Sequence, residues 1–247
     1  MSATRIAWAH ARIAILDLIR SPGYVVPTVV FPAMFFAIFA LPAARHDSQT
    51  AAYVTLSFMA WAIVGVTLYQ FGVGIAADRG RPWERFLRVL PAGTLVRLFA
   101  RIVCALAFGA LAAGCVAILA LAATPLHLPA AAWLAAGTFC LLAGVPFVLI
   151  GTAIGYWCAA RAAVPIATAS NLLLAYAGGL WMSPSELPGV VRTISPFLPT
   201  RQFGELLWSV VTPGNRLWPA LGLCAYAAIF GALTIAGYRR DEHRRYA

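Results

Sequence analysis

The densest group of charged side chains in this sequence lies between two long apolar runs. Residues 78–93 read DRGRPWERFLRVLPAG and hold one aspartate, one glutamate and four arginines. An arginine costs about 3 kcal/mol at the centre of a bilayer, so this segment is expected outside the hydrocarbon. A charged rim at this density suits the docking of a partner, in which ion pairs fix the orientation.

The same segment has the periodicity of a short amphipathic helix. Its apolar residues recur at i, i+3, i+4 and i+7, at Trp83, Phe86, Leu87 and Leu90. Glu84 and Arg88 are spaced i,i+4 on the other face, beside Arg85. Pro82 suits a first helical turn and Pro91 ends the helix. Two interpretations stay open: a docking helix, or an interfacial helix whose arginines only set the topology.

The composition indicates an integral membrane protein. Of 247 residues, 62% are hydrophobic and 11% are charged, against about 25% charged in soluble domains. All 18 basic residues are arginine, so the phosphate-binding pattern GxxxxGK[ST], which needs lysine, is absent. The net charge of +10 is explained by arginines that stay on the cytoplasmic side, and no nucleic-acid partner is expected.

Six apolar runs are long enough to cross a bilayer. They cover residues 24–44, 51–76, 98–123, 131–158, 163–182 and 218–238. Fourteen of the 18 arginines then fall on one side, which predicts both termini in the cytoplasm. A cleaved signal peptide is the alternative for residues 1–44, but the apolar run exceeds the usual core of about 7–15 residues. The GxxxG sequence at 151–155 favours close helix contact.

Two further regions carry amphipathic patterns. Residues 1–22 predict a cytoplasmic interfacial helix whose candidate residues are Arg5, Trp8, Arg12, Asp17 and Arg20. The external loop 183–217 is too apolar to be simply solvated, and its prolines leave short helices at 187–194 and 201–211. Thr200 can cap the second of these. Arg201 and Glu205 are spaced i,i+4, which predicts an ion pair in the second short helix. The candidate pathway or re-entrant residues are Asn171, Pro196, Pro199, Arg201 and Glu205.

The sequence shows neither a catalyst nor an energy source. Its four histidines lie outside or at the edges of the apolar runs, and no HExxH pattern is present. The five cysteines lie inside apolar runs with no CxxC pair, which favours core packing over disulfides or a metal. Ion-coupled transporters carry ionisable groups within the membrane, and none can be placed here. A transport role would therefore need an external motor, and the chain itself is expected to be no enzyme.

Residues 78–91 resemble the cytoplasmic loop of the ABC-2-type permease family of ATP-driven exporters. The matching residues are Asp78, Arg79, Gly80, Glu84, Arg85, Phe86, Leu87 and Pro91. The family often has Arg-Glu-x-Gly-Thr before the Glu-Arg pair, and this chain departs from that pattern. The resemblance implies that loop 77–97 is a coupling helix docking an ATPase, through Asp78, Arg79, Arg81, Trp83, Glu84, Arg85, Phe86, Arg88 and Pro91.

The resemblance also implies the rest of the assembly. A separate ATP-binding cassette ATPase would hold ATP and Mg²⁺, while this chain would bind no cofactor. A second copy of the chain or a related permease would complete the pathway, surrounded by lipid in a bacterial inner membrane. The fold expected for residues 1–247 is a single all-α domain of six transmembrane helices, with an N-terminal interfacial helix and short re-entrant helices before the last span.

The expected function is export of a small amphipathic, drug-like or lipid-like cargo. Two alternatives come from other classes. A membrane enzyme acting on lipid-linked substrates would need clustered acids or histidines, whereas Asp78, Glu84, Glu186 and Glu205 are scattered. The second alternative is a membrane sensor or scaffold that does not transport a cargo.

Overall fold

The computed structural model describes residues 3–80 and 94–246. Within those ranges every regular element is helical, which confirms the all-α fold. The helices, numbered in chain order, are α1 Ala3–Ile19, α2 Pro22–Ala44, α3 Ser48–Arg79, α4 Thr94–Ala123, α5 Ala130–Trp157, α6 Ala160–Ala177, α7 Gly189–Ile194, α8 Pro199–Trp208 and α9 Leu217–Tyr246. Two single 3₁₀ turns, Pro184–Glu186 and Ser195–Phe197, lie between α6 and α8.

Five of the described helices are long and apolar enough to cross a membrane, namely α2, α3, α4, α5 and α9. The predicted span at 163–182 corresponds to α6, which is not among the five. This helix has 18 residues and includes Arg161 and Asn171, which lower its hydropathy. It ends at a Schellman motif, in which the Leu180 amide donates to the Ala175 carbonyl at 3.0 Å. Gly179 supplies the φ of 73° that this turn requires.

Helix α3 lies at the centre of the bundle. In its apolar stretch 83% of the residues are buried, against 11% for α9. Its side chains Phe58 and Trp61 are 1% exposed, and Phe36 of α2 packs on Phe58 edge to face at 5.6 Å. Helices α4 and α5 pack along α3 on other sides. A movement of α3 would therefore change its contacts with α2, α4 and α5.

Helices α2 and α3 contain wide turns with i→i−5 hydrogen bonds. In α2 they cover Val26–Val30 and Phe36–Ala40, next to Pro27 and Pro32, which lack the amide hydrogen an α-helical turn requires. In α3 the wide turn covers Leu68–Val73, and the Gly74 amide donates to the Tyr69 carbonyl. Such turns are frequent at functional sites, and this one lies directly before the charged segment.

The chain forms two short α-helices before the last span. Their observed ranges, 189–194 and 199–208, agree with the predicted 187–194 and 201–211 to within three residues. The predicted cap at Thr200 is wrong, because α8 begins after Leu198 without a side-chain cap. The Thr200 hydroxyl instead donates to the Leu174 carbonyl of α6 at 2.5 Å. The Thr200 hydroxyl therefore binds another helix, whereas the capping rule predicted that it would bind the first turn of its own helix.

Candidate functional site

The charged segment begins at one end of the bundle, where ion pairs join helices that are distant in sequence. We call this the charged end and define it by Asp78, Arg79, Arg101 and Asp241. The last turn of α3, the first turns of α4, the last turn of α5 and the last turns of α9 meet there. The structure describes Asp78 and Arg79 immediately before the loop and Arg101 after it.

The Asp78–Arg101 pair closes the base of the loop. An Arg101 Nη2 atom lies 2.5 Å from Asp78 Oδ2, and the two side chains are 18% and 35% exposed for Arg101 and Asp78. Arg101 also donates to the Gln70 carbonyl within the wide turn of α3. Gly74 leaves room for this guanidinium, because a Cβ there would collide with it. The pair therefore holds the entry and the exit of the loop together.

Arg79 reaches in the other direction. Its Nε and Nη2 atoms both lie 2.9 Å from Asp241 Oδ1 on α9. Its Nη1 atom donates to the Gly155 carbonyl at 2.7 Å and to the Cys158 carbonyl at 3.5 Å, at the end of α5. These carbonyls lie in the last turn, where the partial negative charge of a helix attracts a cation. One side chain thus joins α3, α5 and α9.

Aromatic side chains surround this junction. The Arg79 guanidinium lies 5.8 Å from the Tyr156 ring centroid, and Tyr156 packs edge to face on Tyr238 at 5.8 Å. Arg240 lies 5.0 Å from the Trp157 ring. Arginine over an aromatic face is attracted by the ring quadrupole. The α5–α9 contact at this end is therefore both cationic and aromatic.

Two glycines bring α5 directly against α3. A Cβ at Gly155 would lie 2.7 Å from Ile75 Cβ and 2.8 Å from the Phe71 carbonyl oxygen. A Cβ at Gly151 would lie 2.9 Å from the Thr67 carbonyl oxygen. The close helix contact expected from the GxxxG sequence is confirmed. Its effect at this site is to place the Gly155 carbonyl within reach of Arg79.

The predicted site residues of α1 lie along a helix that packs on α4. Trp8 is 61% exposed and meets Phe99 edge to face at 5.7 Å. Ala11 is fully buried, in agreement with the predicted apolar face. The charged residues are all exposed: Arg5, Arg12, Asp17 and Arg20. Exposure of these residues is compatible with an interfacial helix, whose position at a membrane surface stays a prediction.

The remaining coupling-helix residues lie outside the described residues. They are Arg81, Trp83, Glu84, Arg85, Phe86, Arg88 and Pro91. Of the predicted docking set, Asp78 and Arg79 are described, and both make the intramolecular contacts given above. Their part in docking an ATPase stays a prediction.

The predicted pathway residues fall into two places, with Asn171 of α6 near the middle of α3 and the others at the end of the bundle opposite the charged end. Asn171 is buried against Gly65 of α3, where a Cβ at Gly65 would lie 3.3 Å from Asn171 Nδ2. Arg201 and Glu205 form the predicted i,i+4 ion pair, with Nε 2.8 Å from Oε1. Pro196 and Pro199 flank the Leu198 turn that leads into α8, and Pro199 is buried. The structure therefore does not bring Asn171 and the Arg201–Glu205 pair into direct contact through any described hydrogen bond or ion pair.

The opposite end also holds an open cavity of about 580 Å³. Aromatic rings, carboxylates and hydroxyl groups line it, among them Phe39, Asp47, Tyr53, Trp181, Glu186 and Thr212. A second cavity of about 410 Å³ shares Tyr53 and Thr212 with it. Hydrogen bonds from the Thr50 amide and hydroxyl hold the pKa of Asp47 below its ordinary value, so this carboxylate is charged at neutral pH. The lining is both aromatic and polar.

Sequence reasoning missed three partners at the charged end: Asp241, Gly155 and Arg101. Arg101 was counted only as a topology signal at the start of a span. Asp241 lies in the arginine-rich sequence RRDEHRR of the tail beside a second acid, Glu242, and no local signal singles it out. Among the described residues, no group of three His, Cys, Asp or Glu could hold a metal ion.

Comparisons with known proteins show the family to which the sequence is similar. The model of the family described as ABC-2 type transporter matches residues 7–212, from α1 through α8. The chain is also 24% identical over 229 residues to "Putative transport permease YvfS" of Bacillus subtilis (strain 168). That similarity covers 91% of this chain and 94% of the relative.

Proposed function

This chain belongs to the ABC-2 type transporter family and is a membrane permease of an ABC transporter; from this premise we propose that it exports a small amphipathic cargo. The power would come from a separate ATP-binding cassette ATPase, which binds ATP and Mg²⁺. Such an ATPase is the partner that the family implies. The chain would act with a second copy of itself or with a related permease, and the pair would enclose the pathway between them.

The observation that carries this proposal is the construction of the charged end. Residues 81–93 lie in the sequence between Asp78 and Arg101, whose side chains are paired at 2.5 Å. Arg79 links the same turn to α5 and α9. A partner that moves the loop would therefore move the ends of α3, α4, α5 and α9 together. A loop that served only as a topology signal would need no such anchorage.

The cavity at the opposite end supports the choice of cargo. Its volume of about 580 Å³ falls within the range of about 300–1,000 Å³ that is usual for small-molecule sites. Phe39 and Trp181 offer apolar surface, while Asp47 and Glu186 offer charge. A drug-like or lipid-like molecule with an apolar body and a polar head would fit this lining. Release on this side agrees with export from the cytoplasm or inner leaflet.

The topology follows from the arginine distribution. The proposed location is a bacterial inner membrane, with both termini and the loop 81–93 in the cytoplasm, where the ATPase and ATP are found. The arginines of α1 then face the anionic lipid surface, to which basic side chains are attracted.

Co-purification tests the proposal. The tagged chain is extracted in mild detergent, and mass spectrometry identifies what accompanies it. We expect a stoichiometric ATPase with Walker motifs, lost when residues 81–91 are shuffled with Asp78 and Arg79 left in place. A shuffle of 124–129, which joins α4 and α5 at the opposite end, is the matched control and should retain the ATPase. A folded chain that carries no such ATPase, or retains it after the first shuffle, would overturn the proposal.

Point substitutions in the loop sharpen the same test. Glu84→Ala and Arg85→Glu should uncouple ATP hydrolysis from transport while membrane insertion stays normal, because both change the charged rim of the proposed helix. Insertion is checked by protease protection of the C-terminal tail. Normal coupled transport in both variants would remove this rim from the mechanism.

A further inference from the structure

We propose that Arg79 is a positioning residue that carries the movement of the loop 81–93 into the α5–α9 helix pair, with Asp241 as its acceptor on α9. This inference rests on the proposed function, because the movement would originate in the ATPase. It goes beyond docking by stating which helices receive the motion and through which atoms.

The geometry of Arg79 is that of a three-way link. Two of its nitrogens contact Asp241 Oδ1 at 2.9 Å, and the third donates to the Gly155 carbonyl at 2.7 Å. The guanidinium is planar and its donors have fixed directions. A rotation or shift of the last turn of α3 therefore cannot leave both contacts unchanged. We call this set of contacts the Arg79 junction.

The junction lies where a link to the loop must lie. Arg79 is two residues before the loop, and its neighbour Asp78 is held by Arg101 on α4. Adjacent residues of opposite charge thus bind the last turn of α3 to different helices. The Arg79 and Asp241 side chains are 24% and 12% exposed, so solvent screens this pair less than it screens a surface pair.

Helices α5 and α9 are joined by further contacts, so we expect them to move together. The Trp157 indole donates to the Leu233 carbonyl at 3.0 Å, and the Thr234 hydroxyl donates to the Leu149 carbonyl at 3.2 Å. A Cβ at Gly237 would lie 2.7 Å from Trp157 Nε1, so the Trp157 side chain packs directly on the backbone of α9. By contrast, α9 has few buried residues elsewhere. Its position is therefore set mainly by α5, α8 and the Arg79 junction.

The charge on Asp241 has a specific task in this arrangement. The carbonyls at the end of α5 attract the guanidinium, and the Asp241 carboxylate joins α9 to the same cation. Asp241→Asn removes the charge and keeps the size, whereas Asp241→Glu keeps the charge. A packing role would be indifferent to this distinction.

Hydrogen–deuterium exchange on the chain in complex with its ATPase tests the inference without knowledge of the cargo. Exchange is compared between the nucleotide-free complex and the complex trapped with ATP and vanadate. In the wild type we expect trapping to change exchange in both 81–93 and 236–246. In Asp241→Asn the change in 81–93 should persist, while the change in 236–246 is lost. Asp241→Glu should restore it.

Arg239→Gln is the matched control, because it removes a neighbouring exposed arginine and leaves the junction intact. It should respond as the wild type does. All variants are first checked for a single size-exclusion peak, and the comparison of Asp241→Asn with Asp241→Glu then decides. The inference is overturned if 236–246 responds equally in Asp241→Asn and the wild type, or if it does not respond in the wild type while 81–93 does.

The failure of the proposed function gives a different result. In that case no ATPase protects 81–93 in the wild type, and both proposals are overturned together. Protection of 81–93 with an unresponsive tail overturns the Arg79 junction only.

Discussion

The two ends of the bundle are held together by different forces. At the charged end, ion pairs join residues that lie far apart in sequence, as in Arg79–Asp241 and Asp78–Arg101. At the opposite end the ion pair is local, because Arg201 and Glu205 occupy successive turns of α8.

At the opposite end, aromatic rings pack between helices, and among the described residues no ion pair joins one helix to another there. Tyr53 stacks on Trp208 with ring centroids 4.4 Å apart, and the Trp208 indole donates to the Ser57 hydroxyl at 2.8 Å. Trp181 packs edge to face on Trp61 at 5.0 Å. These contacts bury large aromatic surfaces without a charged pair between helices.

The difference indicates that the two ends of the bundle have different roles. Directional, charge-assisted contacts fix the orientation of helix ends relative to one another, which suits the end that would receive force from a motor. At the opposite end, helices could separate without breaking a described ion pair between them, which suits the end that would open to release a cargo. The following substitutions test whether this difference between the two ends is real.

The largest effect is expected at the opposite end, for Trp208→Ala. The loss of a buried tryptophan should lower the free energy of unfolding by about 3–5 kcal/mol, measured by titration with SDS in mixed micelles. Trp208→Phe keeps the ring and loses the hydrogen bond to Ser57, at a cost of about 1 kcal/mol. Trp218→Ala, whose side chain is 53% exposed, is the control. A cost for Trp208→Ala no larger than that of Trp218→Ala would contradict the role of burial at this end.

The next effect separates the two kinds of ion pair. Asp78→Asn removes a carboxylate that bridges helices, and should cost about 1.5–3 kcal/mol. Glu205→Gln makes the same chemical change in the local pair of α8, which is buried to a similar extent, and should cost less, about 0.5–1 kcal/mol, because both partners stay on one helix. Both are measured by SDS unfolding. Equal costs for the two substitutions would remove the distinction between the ends.

A smaller effect is expected for the close contact of α3 with α5. Gly155→Ala places a Cβ against Ile75 and the Phe71 carbonyl, and should cost about 1–3 kcal/mol through overpacking. Gly137→Ala lies on the same helix with nothing within 4 Å of the new Cβ. It should instead gain up to about 1 kcal/mol from helix propensity. Unfolding in SDS again measures both, and a neutral Gly155→Ala would show that the helices can separate without cost.

The smallest effect concerns pH. Asp47 caps the first turn of α3, and its pKa is lowered by hydrogen bonds from Thr50. A lowered carboxyl pKa in the folded state means that its stabilisation is present above the ordinary pKa and is lost as the pH falls through the lowered value. The Tm advantage of the wild type over Asp47→Ala should therefore be present at about pH 6 and shrink at about pH 3. An advantage that is independent of pH would show that the charge of Asp47 contributes nothing.

Periodicity and local spacing predicted much of this fold. The apolar runs located the long helices, the prolines divided 183–217 into short helices, and the i,i+4 rule found Arg201–Glu205. The glycine spacing at 151–155 predicted the close contact of α5, although not that α3 would be the neighbour. Each of these signals acts over a few turns of chain, which is why a single sequence can carry it.

The contacts that define the charged end could not be predicted in the same way. Arg79 and Asp241 are 162 residues apart, and no local pattern pairs one arginine of 18 with one acid of eight. Thr200 is the opposite case, because the local capping rule did predict a partner and the prediction was wrong. Its hydroxyl binds a carbonyl on α6 instead. The shortening of α6 has a similar cause, because the Gly179 turn and Thr200 together fix its end. Contacts between side chains that are distant in sequence depend on tertiary packing, and they are the part of this site that the sequence alone does not predict.

Site-specific photo-crosslinking tests the central claim most directly. A photoreactive phenylalanine analogue is placed at Phe86, in the proposed coupling helix, or at Phe39, which is 63% exposed at the opposite end. Irradiation of intact cells should crosslink position 86 to an ATP-binding cassette ATPase and leave position 39 without that product. Absence of the ATPase crosslink at position 86, or the same crosslink at position 39, would contradict the docking of a motor at the charged end.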